Sequence, residues 1–381
     1  MKKTRLLFLI ESLSGGGAEK VLSVLLKHLD PSRFEVTLCC VVDTGKYNEE
    51  IQRYVSYTSI LPNPGRLTSV WKKLCYRLKY KLVYSWLPLK AVYRLFVPHG
   101  HDVEVAFVEG FATRLLSESG SPARKIAWIH TDLVNNHWIA GVYPTRAMEQ
   151  TSYAQYQAIV GVSQTATNAF RQLYGSELPS LTLYNPIDSH DILTRSEAPI
   201  SVPAKQAGTL RLVSVGRFVS QKGFDRLLKI VHRLVQEKRN IELWLLGDGE
   251  EKSKLENYIH AHHLESVVTL WGFQSNPFAY LSRCDLFVCS SYSEGYSTAV
   301  TEALILGLPV VTTDCSGMHE LLGDQAYGII TENEEEALYQ GIKRLVDDTS
   351  LRAHYQKKAA ERGKDFSLAS LMKPIEDLLA P

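Results

Sequence analysis

Ser293-Glu294-Gly295-Tyr296-Ser297-Thr298-Ala299-Val300-Thr301-Glu302-Ala303-Leu304-Ile305-Leu306-Gly307-Leu308, followed by Pro309, is the stretch that decides how this chain folds. Glu294 and Glu302 are separated by seven residues, and between them a turn of small residues runs straight into a helix. Ser297 or Thr298 can cap that helix. A helix start leaves backbone N–H groups unpaired and carries the positive end of the backbone dipole, so it suits an anion such as a diphosphate. Glu294 lies just before the helix and Glu302 over a turn inside it. Carboxylates do not bind phosphate, but they accept hydrogen bonds from sugar hydroxyls. The pattern points to a nucleotide-sugar, with phosphates at Gly295, Tyr296, Ser297 and Thr298 and one glutamate for each of its two sugars. The competing reading is a chance pair of surface glutamates around a buried helix.

Outward from this segment, strand and helix patterns alternate. The C-terminal half reads as strand Leu210–Val215, helix Phe224–Glu237, strand Ile241–Leu246, helix Glu250–Ala261, and strands near Val267–Leu270, Leu286–Val288, Pro309–Thr312 and Gly328–Ile330. The N-terminal half opens with strand Thr4 to Ile10, a Gly15-Gly16-Gly17 turn, a helix from Ala18 to Leu29 stopped by Asp30-Pro31, and strand Phe34 to Val42. Further strands are expected at Val103–Val108, Lys125–Ile129, Ala158–Val162 and Leu181–Tyr184. Continuous apolar strands suit parallel sheets covered on both faces. The alternation implies right-handed crossovers and an α/β fold of two doubly wound, Rossmann-like domains. The expected boundaries are 1–188 for the first domain, 189–209 for a polar linker, 210–365 for the second domain and 366–381 for a last helix.

Two cations follow the strand Leu210–Val215: Arg217 and Lys222, in Gly216-Arg217-Phe218 and Gln221-Lys222-Gly223-Phe224. Open α/β sheets bind ligands at the carboxyl ends of their strands. Arginine there offers paired donors to a diphosphate and lysine a point charge; the alternative is a pair of exposed loop cations. The first-strand turn, with Gly16 and Gly17, permits close backbone approach. It is not a dinucleotide fingerprint in a useful register, and Asp43 follows the second strand only loosely. A tight packing turn is the alternative. His130, at the end of strand Lys125–Ile129, is expected to point outward from the sheet toward a sugar hydroxyl, against the reading of a packed histidine. Glu109, after strand Val103–Val108, could bind an acceptor.

The Glu294–Glu302 segment, closed by Gly307 and Pro309 and followed by Val310-Val311-Thr312-Thr313, closely resembles the donor motif of retaining glycosyltransferases of family 4. Here Tyr296-Ser297 replaces the family's more frequent Phe-Gly, which leaves a backbone cradle and adds a hydroxyl. The resemblance covers nearly the whole chain and implies the GT-B arrangement, two Rossmann-like domains across a cleft, with the last helix crossing back to the first domain. It implies that Glu294 contacts the transferred sugar and Glu302 the ribose, and that Arg217 and Lys222 bind donor phosphate and stabilise the leaving nucleoside diphosphate. It implies that Gly16 and Gly17 face the donor phosphates, that His130 acts in catalysis and acceptor binding, and that Asn185-Pro186-Ile187-Asp188 forms a hinge. Asp248, in Gly247-Asp248-Gly249, and Phe273, in Trp271-Gly272-Phe273, resemble segments around the nucleobase, with a UDP-sugar as the expected donor. No D-x-D carboxylate pair follows a strand, so neither metal nor cofactor is expected, and Arg217, Lys222 and the helix dipole balance the diphosphate. By resemblance the acceptor hydroxyl attacks the face from which the leaving group departs, the diphosphate takes the proton, and configuration is retained.

From Arg66 to Val97 there are eight Lys or Arg and no Asp or Glu. If 70–87 is helical, Trp71, Leu74, Cys75, Leu78, Leu82 and Trp86 form one apolar stripe, bordered by Lys72 and Lys79 on one side and Arg77 and Lys81 on the other; Tyr76, Tyr80 and Tyr84 lie opposite. Pro88 ends the helix, and a short basic stretch, Leu89 to Phe96, follows. Such a helix suits an anionic lipid interface; the alternative is a core-packing helix with a solvated basic face.

The 381 residues are too many for one ordinary core, and 45% apolar with 22% charged residues is a globular composition. A net charge of +1 gives no drive toward nucleic acid. Six cysteines without C-x-x-C spacing read as reduced, buried thiols. The apolar run Leu6 to Ile10 is too short for a signal peptide and no segment is long enough to span a membrane, so a cytoplasmic protein, peripheral on the inner face of the cell membrane, is expected. The expected function is transfer of a sugar to a glycan acceptor, lipid-linked in the leading reading, in bacterial surface polysaccharide synthesis. A soluble acceptor, a sugar-nucleotide epimerase of the same fold, and a non-catalytic nucleotide-sugar binder are the rivals; a nicotinamide oxidoreductase lacks its fingerprint.

Overall fold

Leucine and phenylalanine on both faces of Thr4–Ile10 (β1) place that strand in the middle of a sheet, and Leu6, Leu7, Phe8 and Leu9 are fully buried. The structure, a computed structural model, describes residues 2–14 and 16–380; Gly15 of the expected glycine turn lies outside the described residues. The chain divides into two units, residues 1–186 with 369–381, and residues 187–368.

In the first unit β1 is joined by β2 (Phe34–Val42), β3 (Ser56–Leu61), β4 (Val103–Ala106), β5 (Arg124–Ile129), β6 (Ala158–Gly161) and β7 (Ser180–Thr182) in the order β3-β2-β1-β4-β5-β6-β7. All pairings are parallel. The second unit holds β8 (Leu210–Val215), β9 (Ile241–Leu246), β10 (Val268–Gly272), β11 (Leu286–Cys289), β12 (Val310–Thr313) and β13 (Ile329–Thr331) in the order β10-β9-β8-β11-β12-β13, again parallel throughout. Each unit is the expected doubly wound α/β sheet. The strand order reverses between β1 and β4 and between β8 and β11, which is where such sheets open a crevice at their carboxyl ends.

Strand β3 escapes the sequence reading because it is an edge. Its Tyr57, Thr58 and Ser59 are only half-buried, so it lacks the apolar run of a central strand. The stretch 189–209, expected as a linker, instead opens with helix Ser189–Ser196, capped by Asp188 accepting from Asp191 N at 2.9 Å. That helix is fastened within the second unit: Ser282 Oγ donates to the Ser196 carbonyl at 2.9 Å and Asn276 Nδ2 to that of Arg195 at 2.8 Å. The last helix, Leu368–Leu379, docks on the first unit, where Glu376 accepts from Asp30 N at 3.0 Å and pairs with Arg33 at 2.6 Å.

The basic segment is not the single α-helix expected over 70–87. An α-helix, Val70–Lys81, capped by Ser69, passes into one π turn at Leu82–Trp86 before Pro88. The extra residue in that turn brings Val83 into the core and lets Tyr84 donate to Glu11 Oε1 at 3.0 Å. Tyr76, Tyr80, Tyr84 and Phe111 form a ladder of ring contacts, with Tyr76 and Tyr84 half-buried against the core and Tyr80 exposed. The apolar stripe faces solvent, with Trp71 76% and Trp86 58% exposed, and no residue of helix Val70–Lys81 is buried. The core-packing alternative therefore does not describe this stripe. All six cysteines are free and five are buried; burial pushes the Cys39 and Cys40 thiols up to about 12.

Candidate active site

The reversal between β8 and β11 brings together two loops that are far apart in sequence. Glycines allow it. Gly223, at the start of helix Phe224–Gln236, has φ +62°, and a Cβ there would lie 2.1 Å from the Ser290 carbonyl beyond β11. Gly247 lets the turn after β9 press on the turn after β8, where a Cβ would lie 1.8 Å from the Gly216 carbonyl.

The result places Lys222 Nζ 2.6 Å from Glu294 Oε1. Ser291 Oγ donates to the same oxygen at 2.5 Å, and Ser290 Oγ donates to the Lys222 carbonyl at 2.9 Å. Burial opposes the Lys222 charge, but Glu294 and the other groups around it more than offset this and hold the ammonium above its usual range; Arg217 pulls the other way. Arg217 itself is exposed at the end of β8. Immediately after Glu294 comes the eight-residue helix Thr298–Ile305, capped by Ser297, whose Oγ accepts from Val300 N at 3.4 Å. Gly295 is buried and Tyr296 half-buried; the Gly295 carbonyl sits 2.6 Å from where a Cβ on Gly317 would be. Glu302 is buried within the helix. Two cations, a carboxylate and a helix start are thus collected at the carboxyl end of one sheet, where such folds bind ligands. Lys222 and Glu294, expected to hold different parts of a donor, are in direct contact, so a ligand reaching both must lie along the pair or open it.

Two nucleobase candidates are placed less tellingly. Asp248 is exposed, and its carboxylate accepts from the adjacent Gly249 N at 3.0 Å; its carbonyl anchors Phe218 N at 2.9 Å, so the turn's first task is to hold the Arg217 loop. Phe273 is exposed at the end of β10.

In the first unit, Gly16 caps helix Gly17–His28 without a side chain. A Cβ on Gly16 would meet Glu19 Oε2 at 2.4 Å, so a carboxylate already stands at this helix start, and a diphosphate reaching it would have to displace Glu19. His130 follows β5. Burial pulls its pKa below the ordinary 6.5, against Glu109 and the Phe107 carbonyl, so the ring is neutral at pH 7. Its Nε2 is buried with no hydrogen-bond partner among the described residues, which suits a ligand hydroxyl. Glu109 differs from expectation. It is 2% exposed, with Oε2 accepting from His130 N at 2.8 Å and Oε1 from Trp138 Nε1 at 3.1 Å. Both oxygens support the His130 backbone and the 138 loop rather than facing outward. Ser291 and Trp138 were missed by sequence reasoning. Two hydroxyls directly after an apolar strand, Ser290-Ser291, were the available signal for the first; nothing local marks the second.

Residues 15–191 match the model described as Glycosyltransferase Family 4, and residues 198–362 match Glycosyl transferases group 1. N-acetylgalactosamine-N,N'-diacetylbacillosaminyl-diphospho-undecaprenol 4-alpha-N-acetylgalactosaminyltransferase from Campylobacter jejuni is 30% identical over 372 residues, 96% of this chain and 96% of that protein. The lipopolysaccharide core biosynthesis glycosyltransferase LpsE of Rhizobium meliloti is 31% identical over 200 residues, 51% of this chain and 53% of its own. Among solved structures, Anabaena HepE in complex with UDP and glucose has a TM-score of 0.75 at 20% identity, covering 99% of both chains. Matched across both units and aligned with a relative over nearly its full length, the chain belongs to glycosyltransferase family 4 and is a glycosyltransferase of the GT-B fold.

Proposed function

We propose that the chain moves a sugar from a UDP-sugar to a hydroxyl of a lipid-linked glycan, with retention and without a metal, in bacterial surface polysaccharide synthesis. The observation that carries this is the Lys222–Glu294 contact of 2.6 Å beside the start of helix Thr298–Ile305. Lys222, Arg217 and the helix N–H groups take up charge on the departing diphosphate, while Glu294 accepts from a hydroxyl of the transferred sugar and Glu302 from the ribose. The acceptor oxygen bonds to the anomeric carbon as the bond from that carbon to the diphosphate oxygen breaks. The diphosphate takes the acceptor's proton. His130 Nε2 receives a sugar hydroxyl. The choice of UDP is supported by the HepE complexes, and the lipid-linked acceptor by the diphospho-undecaprenol substrate in the name of the Campylobacter jejuni relative.

The exposed stripe of helix Val70–Lys81 supports a peripheral position on the inner face of the cell membrane. Leu74, Leu78 and Trp86 line an open apolar groove with Arg77 and Lys81 beside it, a surface complementary to an anionic bilayer. No helix among the described residues is long and apolar enough to cross a membrane.

The test is a panel of UDP-sugars offered with a polyprenyl-diphosphate-linked glycan, with and without EDTA, and the product's anomeric configuration read by NMR. Retained configuration with EDTA-insensitive turnover is expected. Inversion, or activity abolished by EDTA, overturns the mechanism; equal turnover of a water-soluble glycan overturns the lipid-linked acceptor; an epimerised nucleotide-sugar without acceptor would make the protein an isomerase.

A further inference from the structure

Helix Phe224–Gln236 buries Phe224, Leu227, Leu228, Ile230, Val231 and Leu234, and among them a charged residue, Arg226, only 1% exposed. A buried charge is costly unless it is paired or fully hydrogen-bonded. Arg226 forms no ion pair among the described residues. Its guanidinium is instead held by a strand end: Nε donates to the Ser290 carbonyl at 2.8 Å and Nη2 to the Ser291 carbonyl at 2.7 Å. Nη2 also donates to Asn333 Oδ1 at 2.8 Å, and the group lies 3.9 Å from the centroid of the Tyr292 ring.

The neighbours complete the pattern. Asn333 Nδ2 donates to the Tyr292 carbonyl at 2.8 Å, and Gln221 Nε2 to the Ser293 carbonyl at 2.8 Å. Four consecutive carbonyls, Ser290 to Ser293, are therefore each fixed by a side chain from elsewhere in the unit, and the next residue is Glu294. One of the four belongs to Ser291, whose hydroxyl holds Glu294 Oε1 at 2.5 Å. Two donors of one rigid, planar guanidinium bridge adjacent carbonyls, a geometry that a lysine ammonium does not reproduce.

We propose that Arg226 is a positioning residue for glycosyl transfer, acting with Asn333 through the backbone of Ser290–Tyr292 to set the Glu294 carboxylate. The inference rests on the reading of Glu294 as the residue that holds the transferred sugar. Positioning errors of this kind lower turnover more than ground-state binding. Arg226→Lys keeps the charge and loses the bridge; Asn333→Ala lies outside the core and keeps Arg226.

The probe is UDP release from whichever of UDP-glucose, UDP-galactose, UDP-N-acetylglucosamine and UDP-N-acetylgalactosamine the wild type turns over fastest, with UDP affinity measured by calorimetry. In Arg226→Lys and in Asn333→Ala we expect kcat to fall about tenfold or more, with donor KM and UDP Kd within about threefold of wild type. Combining Arg226→Lys with Glu294→Gln should add less than about twofold to the loss in Glu294→Gln alone, because both changes act on one group. If kcat holds within twofold, if the loss lies in KM and Kd, or if the losses multiply in the double variant, the inference is overturned. Should Arg226→Lys fail to fold, Asn333→Ala decides by the same kcat and KM criteria. A Glu294→Gln protein with wild-type turnover, or a wild type that releases UDP from none of the four, overturns the donor-site reading instead.

Discussion

Replacing Lys222 by methionine removes the ammonium 2.6 Å from Glu294 Oε1 and keeps the aliphatic stem that lines the space beside Gly216. Two quantities should change by different amounts. The pair is neither fully buried nor exposed, its side chains being 23% and 10% accessible. The cost of stranding Glu294 is therefore set nearer an unsatisfied polar group, about 2 kcal/mol, than a stranded buried ion pair. Ser291 still donates to the carboxylate, which keeps the loss at that level. For a unit of this size about 2 kcal/mol corresponds to roughly 4–8 °C in Tm. Turnover should fall further, by about 10²–10³, because one preorganised donor to the leaving diphosphate is gone. The two effects separate in Lys222→Met combined with Glu294→Gln. With no stranded charge, Tm should return to within about 2 °C of wild type, while UDP release from the preferred donor stays at least as low as in the single variant. Scanning calorimetry and a coupled UDP assay measure both. A Lys222→Met protein that turns over within fivefold of wild type would refute the phosphate role. A double variant as unstable as the single one would refute the stranded-charge account of the Tm loss.

Gly223→Ala should destabilise the second unit by at least about 2 kcal/mol, from a left-handed backbone and a Cβ 2.1 Å from the Ser290 carbonyl; an unchanged urea midpoint would contradict the packing described. His130 has its folded pKa depressed below 6.5, so between those values the unfolded chain binds more protons and stability is lost as pH falls from about 6.5. The Tm difference between about pH 7.5 and pH 5.5 should therefore shrink in His130→Phe, though not vanish, since burial also lowers His101; an unaltered difference refutes the buried neutral imidazole. Trp71→Glu and Leu78→Glu should each weaken flotation on phosphatidylglycerol-containing vesicles by about tenfold or more, through lost apolar burial and added repulsion. Both sites are exposed, so Tm should stay within about 2 °C; undiminished flotation removes this stripe from the membrane contact.

What could be read from the sequence was local. The Glu294–Glu302 spacing, the Ser297 cap and the cations after β8 each lie within one strand-turn-helix unit, where spacing and residue type constrain geometry. The continuous apolar runs of β1 and β2 likewise betray burial on both faces. What depended on strand order stayed hidden. The Lys222–Glu294 contact joins residues 72 apart, and only the placement of β11 beside β8 brings them together. Nothing in the sequence singles out Arg226, because its acceptors are carbonyls, which leave no mark in a sequence. Glu109 read as a presented carboxylate for the converse reason: its partners are a backbone N–H and the indole of Trp138, 29 residues away.

The two units use the same topology with different chemistry at their reversals. Beyond β8 and β11 the loops carry cations, hydroxyls and a helix start capped by a neutral serine, and the carboxylate present, Glu294, is already matched by Lys222. Beyond β1 and β4 the corresponding helix start has Glu19 against Gly16, and Glu11 is engaged by Tyr84. We expect a diphosphate to favour the first arrangement, whose carboxylate is matched by Lys222, over the second, where Glu19 already stands at the helix start. On that asymmetry we expect the phosphates to be held by the second unit, with the first contributing neutral groups such as the His130 ring. Competition by inorganic pyrophosphate should therefore be relieved by Lys222→Met and left unchanged by Glu19→Gln. If Glu19→Gln instead tightens UDP binding about tenfold, the helix start behind Gly16 belongs to the phosphate site and the division between the units is wrong.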